Sequence, residues 1–298
     1  MFSEFPIELR EWLERGTYRR VGGWEIFLRD TGPSDPREVV VVLHGFPTSS
    51  FDWHRILPIL AGERRVILFD LPGFGFSEKP VSYGYALFEQ ADLVEVLLRE
   101  LGVEEPVHLV AHDMGTSIAC ELLARRALGL HHVPIRSLVL MNGSVYIEMA
   151  HLTPSQRLLR SALGPLFARW ATRRLFHFQM GRIVGRPLSP TELEAMWAQL
   201  RFRNGTARLP QIIRYLEERW RFRHRWIGAL RTLDIPTLVL WGVCDPVARF
   251  AIGKRLAREI PHAHLEPLDG VGHYPPLEDP GRTGEALLRF LDQVSPAT

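Results

Sequence analysis

The chain has 298 residues, of which 46% are hydrophobic and 23% are charged, and this ordinary globular composition excludes a largely disordered protein. At roughly 150 residues for each domain, the length is compatible with one or two domains. The 36 basic residues nearly balance the 34 acidic residues, which leaves a formal charge of +2. Because so small a net charge attracts polyanions weakly, we expect neither a nucleic acid nor a membrane as a partner.

The first residues lack the basic start and apolar core of a signal peptide, and no apolar run reaches the roughly 18 residues of a spanning helix. The two cysteines, Cys120 and Cys244, cannot form a disulfide framework. These features predict a soluble, cytoplasmic protein. They leave its oligomeric state open, and no pattern of metal ligands is apparent.

Short runs rich in valine, isoleucine and leucine alternate with helical patterns along the chain. Continuous apolar runs of this length are typical of strands that are buried on both faces of a parallel sheet. The alternation predicts an α/β fold with a mostly parallel, doubly wound sheet. The predicted elements, in chain order, are the strands Val39–Leu43 and Arg65–Phe69, the helix Ala86–Leu101, the strand Val107–Val110, the helix Thr116–Leu128, and the strands Ser137–Met141 and Thr237–Trp241.

Residues 144–228 interrupt this alternation, because they contain no convincing strand. Apolar and aromatic residues recur there at helical spacing, as in Glu192–Leu200 and Pro210–Trp220. The sequence Ser189-Pro190-Thr191-Glu192 is typical of a helix start. We therefore expect a helical cap at 144–228, inserted into a core formed by residues 1–143 and 229–298.

Asp113 lies between a predicted strand and a predicted helix, with the small residues Ala111 and Gly115 on either side. This order matches the nucleophile elbow, with aspartate where serine is usual. Small residues suit such a turn because it brings the strand and the helix close together. The same position also suits an ordinary helix N-cap, so the pattern alone does not decide between a nucleophile and a cap.

The turn His44-Gly45-Phe46-Pro47 follows the first predicted strand. A glycine there can direct the backbone N–H of Phe46 at an oxyanion, and the N–H of Met114 is the natural second donor. Taken by itself, the motif is also compatible with an ordinary tight turn.

Asp245 lies at the end of a predicted strand, and His273 lies in a late loop between glycines and a proline. An aspartate in this position can hold the histidine Nδ1–H and stabilise the imidazolium. The chain order of nucleophile, acid and histidine is that of the hydrolases with a nucleophile elbow.

Five motifs in this order resemble those of the α/β-hydrolase superfamily, and specifically its branch of epoxide hydrolases and haloalkane dehalogenases. The motifs span most of the chain, and longer stretches are similar to the vertebrate mesoderm-specific transcript proteins. The motifs are His44-Gly45-Phe46-Pro47, Asp70-Leu71-Pro72-Gly73-Phe74-Gly75-Phe76-Ser77, His112-Asp113-Met114-Gly115, Trp241-Gly242-Val243-Cys244-Asp245-Pro246 and Gly272-His273-Tyr274-Pro275. The resemblance implies an α/β-hydrolase fold with a helical cap between two strands.

A carboxylate nucleophile has an ordinary pKa of about 3.9, so Asp113 is charged at neutral pH without help from a base. It can attack a saturated carbon and form an alkyl ester, which water activated by His273 then hydrolyses. This chemistry needs no cofactor. Some relatives place the acid after the strand that precedes the cap, but that position holds Asn142 here and Glu148 falls within the cap, so Asp245 is the better candidate.

The leaving group distinguishes an epoxide from an alkyl halide. In epoxide hydrolases, cap tyrosines assist the leaving oxygen, and the resemblance implies this role for Tyr215 and, with an earlier position than usual, for Tyr146. Dehalogenases hold the halide with side-chain N–H groups at two positions that are occupied here by Phe46 and Met114. We therefore expect hydrolysis of a small hydrophobic epoxide to a vicinal diol.

Dehalogenation is the alternative, because Trp53 and the cap tryptophans can also donate to a halide. An esterase or a non-catalytic protein with this fold is less favoured. Trp53 and His112 are the candidate substrate-binding residues, although His112 suits a structural role better than a catalytic one. His44 is expected to order the oxyanion turn.

Overall fold

The computed structural model describes residues 4–131 and 133–295, with an eight-stranded sheet at its centre. All residues of the strands Val39–Leu43 and Val107–His112 are buried, because helices cover both faces of the sheet. The strands are β1 (Thr17–Val21), β2 (Trp24–Thr31), β3 (Val39–Leu43), β4 (Arg65–Phe69), β5 (Val107–His112), β6 (Ile135–Met141), β7 (Thr237–Gly242) and β8 (Ala263–Leu268).

The strand order is β1-β2-β4-β3-β5-β6-β7-β8, and the pairings from β4 to β8 are parallel. The five predicted strands are β3 to β7, and they form the inner part of this sheet. The antiparallel strands β1 and β2 and the edge strand β8 were not predicted. Their burial is incomplete, and four of the five residues of β1 are exposed, so their sequences lack a continuous apolar run.

Helices pack on both faces of the sheet, and the predicted helices correspond to Leu87–Glu100 and Met114–Ala127. Of the helices in the described ranges, none has both the length and the hydropathy that a bilayer span requires. The helices are α1 (Ile7–Glu14), α2 (Leu57–Leu60), α3 (Leu87–Glu100), α4 (Met114–Ala127), α5 (Pro154–Leu159), α6 (Gly164–Arg169), α7 (Arg173–Gly181), α8 (Pro190–Arg201), α9 (Leu209–Ile212), α10 (Tyr215–Arg231), α11 (Phe250–Glu259), α12 (Pro275–Glu278) and α13 (Pro280–Val294). Three short 3₁₀ segments occupy Ser50–Trp53, Ile147–Met149 and Phe202–Arg208.

The helical insertion between β6 and β7 contains α5 to α10. Ser189 caps α8 as its sequence indicates, since its side chain accepts a hydrogen bond from the N–H of Glu192 at 3.1 Å. The predicted helix Pro210–Trp220 is divided between α9 and α10. Because α10 continues without a break past residue 228, the expected cap boundary falls inside a helix.

A buried carboxylate joins α10 to α4. Glu121 on α4 accepts hydrogen bonds from Arg225 at 2.8 and 2.9 Å and from the indole N–H of Trp226 at 2.9 Å. Burial alone would raise the pKa of Glu121, but these donors, together with Arg125, lower it. The helix that closes the cap is therefore attached directly to the helix that follows Asp113.

Candidate active site

Asp113 lies at a strained turn between β5 and α4, with φ 44° and ψ −110°. A Cβ atom at Gly115 would lie 2.5 Å from the carbonyl oxygen of Leu43, which explains the small residue at this close approach. The carboxylate does not cap α4. Instead, its Oδ2 atom accepts a hydrogen bond from the backbone N–H of Phe46 at 2.9 Å. Asp113 therefore occupies the N-cap position of α4 without a side-chain capping bond, and its role as a nucleophile stays a prediction.

The turn His44-Gly45-Phe46 lies against this carboxylate. A Cβ atom at Gly45 would lie only 2.6 Å from the Cβ of Asp113, so only glycine allows the approach. The His44 Nε2 atom accepts from the N–H of Leu71 at 3.0 Å, and its Nδ1–H therefore donates to the carbonyl of Gly45 at 2.9 Å. Burial lowers the pKa of His44 and keeps the ring neutral in this bridging role. His44 thus orders the turn, as its position suggested.

Met114 is the first residue of α4, where backbone N–H groups have no partner within the helix. Its N–H is therefore free of a partner within the helix, and its role as the second oxyanion donor beside the N–H of Phe46 stays a prediction. Both residues contribute only backbone donors, because their side chains are apolar.

His273 and Asp245 form a tight pair, with His273 Nδ1 2.7 Å from Asp245 Oδ2. The other carboxylate oxygen, Oδ1, accepts from the N–H groups of Val247 at 2.7 Å and Ala248 at 3.0 Å. Burial disfavours the charged forms of both Asp245 and His273, but the attraction between the carboxylate and the imidazolium outweighs the effect of burial. It lowers the pKa of Asp245 and, with a contribution from Asp113, raises that of His273 to about 9. The aspartate therefore fixes the imidazole and stabilises its protonated form.

Asn142 occupies the position where some relatives place the acid, and it supports Asp245 instead. Its side-chain N–H donates to Asp245 Oδ2 at 2.8 Å, and its carbonyl oxygen accepts from the N–H of Gly242 at 2.9 Å. Glu148, the other carboxylate considered, pairs with Arg255 at 2.8 Å. The structure therefore favours Asp245 as the acid.

His112 donates from Nε2 to the carbonyl of His273 at 2.7 Å. Burial, followed by repulsion from His273, lowers the pKa of His112 to about 4, so the ring is neutral. Trp53 is fully buried in an apolar cluster with Phe51 and Met141. Among the described residues that line the substrate cavity, neither Trp53 nor His112 is found. The Nε1 atom of Trp53 and the Nδ1 atom of His112 are buried without a hydrogen-bond partner among the described residues, and the role of these two residues in binding substrate stays a prediction.

Tyr215 is fully buried at the start of α10, and its ring lies 5.8 Å from that of Phe46. Burial and then the charge of Asp113 raise the pKa of Tyr215, while a hydrogen bond with Arg219 opposes the increase. The phenol is therefore neutral, and its pKa responds to the charge of Asp113.

Tyr146 is placed elsewhere. Its hydroxyl donates to Glu259 Oε2 at 2.6 Å, and the Arg255 guanidinium lies 3.8 Å from its ring centroid. The carboxylate of α11 therefore holds the hydroxyl away from Asp113, and the expected role for Tyr146 in ring opening does not fit.

Arg219 is a site residue that sequence reasoning missed. Its Nε–H donates to Ser117 at 2.8 Å, and a terminal N–H donates to the carbonyl of Asp113 at 3.0 Å. The same nitrogen lies 3.8 Å from Asp113 Oδ1, and the guanidinium lies 4.6 Å from the Tyr215 ring centroid. The signal was its position four residues after Tyr215, which places both side chains on one face of a helix.

Asp52 is a second residue that was missed. The side chain is fully buried, Oδ2 accepts from Thr48 at 2.5 Å, and Oδ1 has no partner among the described residues. Burial raises the pKa of Asp52 well above its usual range, and Asp70 and Asp113 add to the increase. Tyr274, next to His273, is also fully buried, and its pKa is raised by burial and by Asp52. Asp52 is thus a neutral acid whose pKa is also influenced by His273.

An apolar cavity of about 90 Å³ extends from Phe46 and His273 into the cap. Its walls include Phe167 and Leu175, together with Trp197. A second cavity of about 390 Å³ shares Phe167 and Leu175 and lies further out, beneath α5 to α7. A hydrophobic substrate can therefore reach the oxyanion turn and His273 through the cap.

Comparison with known proteins agrees with this geometry. Residues 38–280 match the model of the alpha/beta hydrolase fold family. The chain is 42% identical to the protein LipZ of Mycobacterium tuberculosis, over 95% of this chain and 98% of LipZ. It is 36% identical to the human mesoderm-specific transcript homolog protein, over 95% of this chain and 88% of that protein.

Among solved structures, the haloalkane dehalogenase DbeA from Bradyrhizobium elkani is similar, with a TM-score of 0.79 and 27% identity. The match covers 95% of this chain and 99% of DbeA. The family match, the identity to relatives and the shared sheet with its inserted cap give one conclusion: the chain belongs to the α/β-hydrolase fold family and is a hydrolase of that fold.

Proposed function

We propose that the protein is an epoxide hydrolase that adds water to a small hydrophobic epoxide and gives a vicinal diol. The observation that carries this proposal is the position of the buried Tyr215, whose ring lies 5.8 Å from the Phe46 ring and 4.6 Å from the Arg219 guanidinium. Phe46 and Arg219 are the residues whose N–H groups lie 2.9 and 3.8 Å from the Asp113 carboxylate oxygens. A phenol in this position can give a proton to a leaving oxygen. A halide leaves without a proton and does not need such an acid. Catalysis by a positioned acid of this kind typically contributes about 10²–10⁴-fold.

In the first step, an oxygen of Asp113 attacks an epoxide carbon, the ring C–O bond breaks, and Tyr215 gives its proton to the leaving oxygen. The products are a hydroxyalkyl ester and a tyrosinate. Arg219 hydrogen-bonds to the Tyr215 side chain and stabilises the tyrosinate while it exists. Tyr215 acts as the acid without Tyr146, because the Tyr146 hydroxyl donates its hydrogen bond to Glu259.

In the second step, His273 takes a proton from water, and the resulting hydroxide attacks the ester carbonyl of Asp113. The N–H groups of Phe46 and Met114 bind the oxyanion. The ester bond then breaks, the diol oxygen takes the proton from His273, and the acid proton of Asp113 returns to Tyr215. Since Asp113 contributes to the raised pKa of His273, formation of the neutral ester lowers that pKa when a base is needed.

The covalent step has a direct test. His273→Gln should still form the ester but hydrolyse it slowly, so mass spectrometry should find the mass of styrene oxide added to the peptide that contains Asp113. Repeated turnover of the unmodified enzyme in H₂¹⁸O should introduce label into the Asp113 carboxylate. If diol forms and the label never enters Asp113, the ester mechanism is wrong.

Dehalogenation is the second candidate, because the fold is similar to that of DbeA. Trp197 lines the cavity and offers an indole N–H to a halide. A parallel assay of diol formation from epoxides and of halide release from haloalkanes separates the two reactions. Halide release without diol formation across a broad epoxide panel would replace the first proposal with the second.

A further inference from the structure

The small net charge of the chain conceals a strong separation of charge. Residues 144–228 contain fifteen arginines and five glutamates, and neither lysine nor aspartate. The rest of the chain has twenty-one basic residues and twenty-nine acidic residues. The cap is therefore strongly cationic and the core is anionic, so the overall charge of +2 does not describe the field near the cap.

The positive charge is concentrated where the cavities open. No aspartate or glutamate occurs between Glu148 and Glu192, the stretch that forms α5, α6 and α7. Within the described structure, three of the exposed arginines of this stretch pair with carboxylates outside it, Arg160 with Glu217, Arg173 with Glu194 and Arg186 with Asp279. The exposed arginines without such a partner are Arg157, Arg169, Arg174 and Arg182.

The same stretch exposes large apolar side chains. Trp170 is 71% exposed and Phe178 is 62% exposed, and Leu163 and Leu166 are also exposed. Leu163, Leu166 and Trp170 are spaced three and four residues apart around α6, so they lie on one face of it. Phe167 and Ala168 of the same short helix line the catalytic cavity, so α6 presents apolar side chains both to the cavity and to solvent.

Two of these exposed side chains lie at the mouth of the outer cavity. Phe178 and Arg182 belong both to the exposed surface and to the wall of the outer cavity, which shares Phe167 with the catalytic cavity. A molecule bound against α6 and α7 would therefore lie at the entrance to the path that leads to His273.

We infer that the α6–α7 face of the cap docks on an anionic lipid surface, from which apolar substrate enters the outer cavity. Trp, Phe and Leu side chains among arginines are the composition that inserts into the headgroup region of a bilayer. A second copy of the chain fits less well, because a twofold contact would place two acid-free cationic faces together. The inference does not depend on which electrophile Asp113 attacks.

The test is flotation of the full-length protein with vesicles of phosphatidylcholine, with and without phosphatidylserine. We expect binding to vesicles that contain phosphatidylserine, weakened by added NaCl, and little binding to phosphatidylcholine alone. Arg169→Gln with Arg174→Gln should weaken binding by about fivefold for each arginine removed. Trp170→Ser should also weaken it. None of these three residues lines either cavity, so turnover of a water-soluble substrate should be unchanged and should show that the variants are folded.

The matched controls are Val81→Ser, which changes another residue that is 71% exposed, and Arg19→Gln with Arg20→Gln on β1. These variants should bind vesicles like the unmodified protein. Absence of binding to phosphatidylserine vesicles would overturn the inference, as would binding that the cap variants and the controls weaken equally. Concentration-dependent dimerisation that Trp170→Ser abolishes, without vesicle binding, would assign the face to a second copy and would also overturn it.

Discussion

Arg219 on α10 donates a hydrogen bond of 3.0 Å to the backbone carbonyl of Asp113 and places its guanidinium nitrogen 3.8 Å from the Asp113 carboxylate. A helix of the cap therefore supplies a fully buried cation to Asp113 of the core. The Arg219 guanidinium and the neighbouring Tyr215 phenol lie on one face of α10. The position of this helix therefore determines where both side chains lie relative to Asp113.

Arg219→Gln should slow ester formation by about 10²-fold, because it removes a preorganised donor near developing charge. The rate is measured as single-turnover loss of epoxide. Ser117→Ala is the control, since it removes the partner of the Arg219 Nε–H and leaves the guanidinium in place. Equal effects of the two changes would reduce Arg219 to a packing role.

Tyr215→Phe should lower epoxide opening by about 10²-fold or more, because the leaving oxygen loses its proton donor. Any halide release should change little, since a halide leaves without a proton. Tyr146→Phe removes the same hydroxyl from a tyrosine bound to Glu259, and it should leave ring opening nearly unchanged. Reversed results would restore Tyr146 as the acid and would contradict the geometry.

The protonation of His273 gives a pH prediction. The pKa of about 9 in the free enzyme should appear as the midpoint of its imidazole signals in an NMR titration. Asp113→Asn removes one of the charges that raise this pKa, so the midpoint should fall. The stabilisation by the His273–Asp245 pair should be complete below the ordinary histidine pKa of about 6.5, and it should be lost as the pH rises through about 9. A midpoint unchanged by Asp113→Asn would show that the nucleophile does not influence the base.

Asn142→Ala should slow hydrolysis of the ester more than its formation, because Asn142 holds the aspartate that orients His273. We expect about a tenfold effect, comparable with loss of other residues that support a reactive group. Burst kinetics separate the two steps. An effect confined to ester formation would contradict this role.

Asp52→Asn tests the neutral buried acid. The raised pKa of Asp52 means that the unfolded chain releases this proton more readily than the folded protein, so the folded protein loses stability as the pH rises above about 3.9. Asparagine can keep the hydrogen bond to Thr48 and has no proton to lose. The variant should therefore have a higher Tm than the unmodified protein at pH 8, and the difference should shrink near pH 4. A lower Tm at both values would indicate a charged Asp52.

The sequence predicts the parts of the molecule that depend on local patterns. Continuous aliphatic runs identified β3 to β7, and the turns around Asp113 and Phe46 were recognisable because their glycines have no substitute at such short distances. Contacts between segments that are distant in the sequence could not be predicted, because local patterns carry no information about them. Tyr146 was misassigned since its partner, Glu259, lies 113 residues away, and Arg219 was missed because its hydrogen-bond partners, Ser117 and Asp113, lie 102 and 106 residues away.

The attachment of α10 to Glu121 divides the cap into two parts with different freedom to change. Tyr215 and Arg219 belong to a helix that is fastened to the core, whereas the entrance helices α5 to α7 carry no group assigned to bond making or bond breaking. The entrance helices can therefore change in sequence and admit other substrates while Tyr215 and Arg219 keep their positions relative to Asp113. Grafting residues 149–188 from a relative is accordingly a rational route to altered substrate scope.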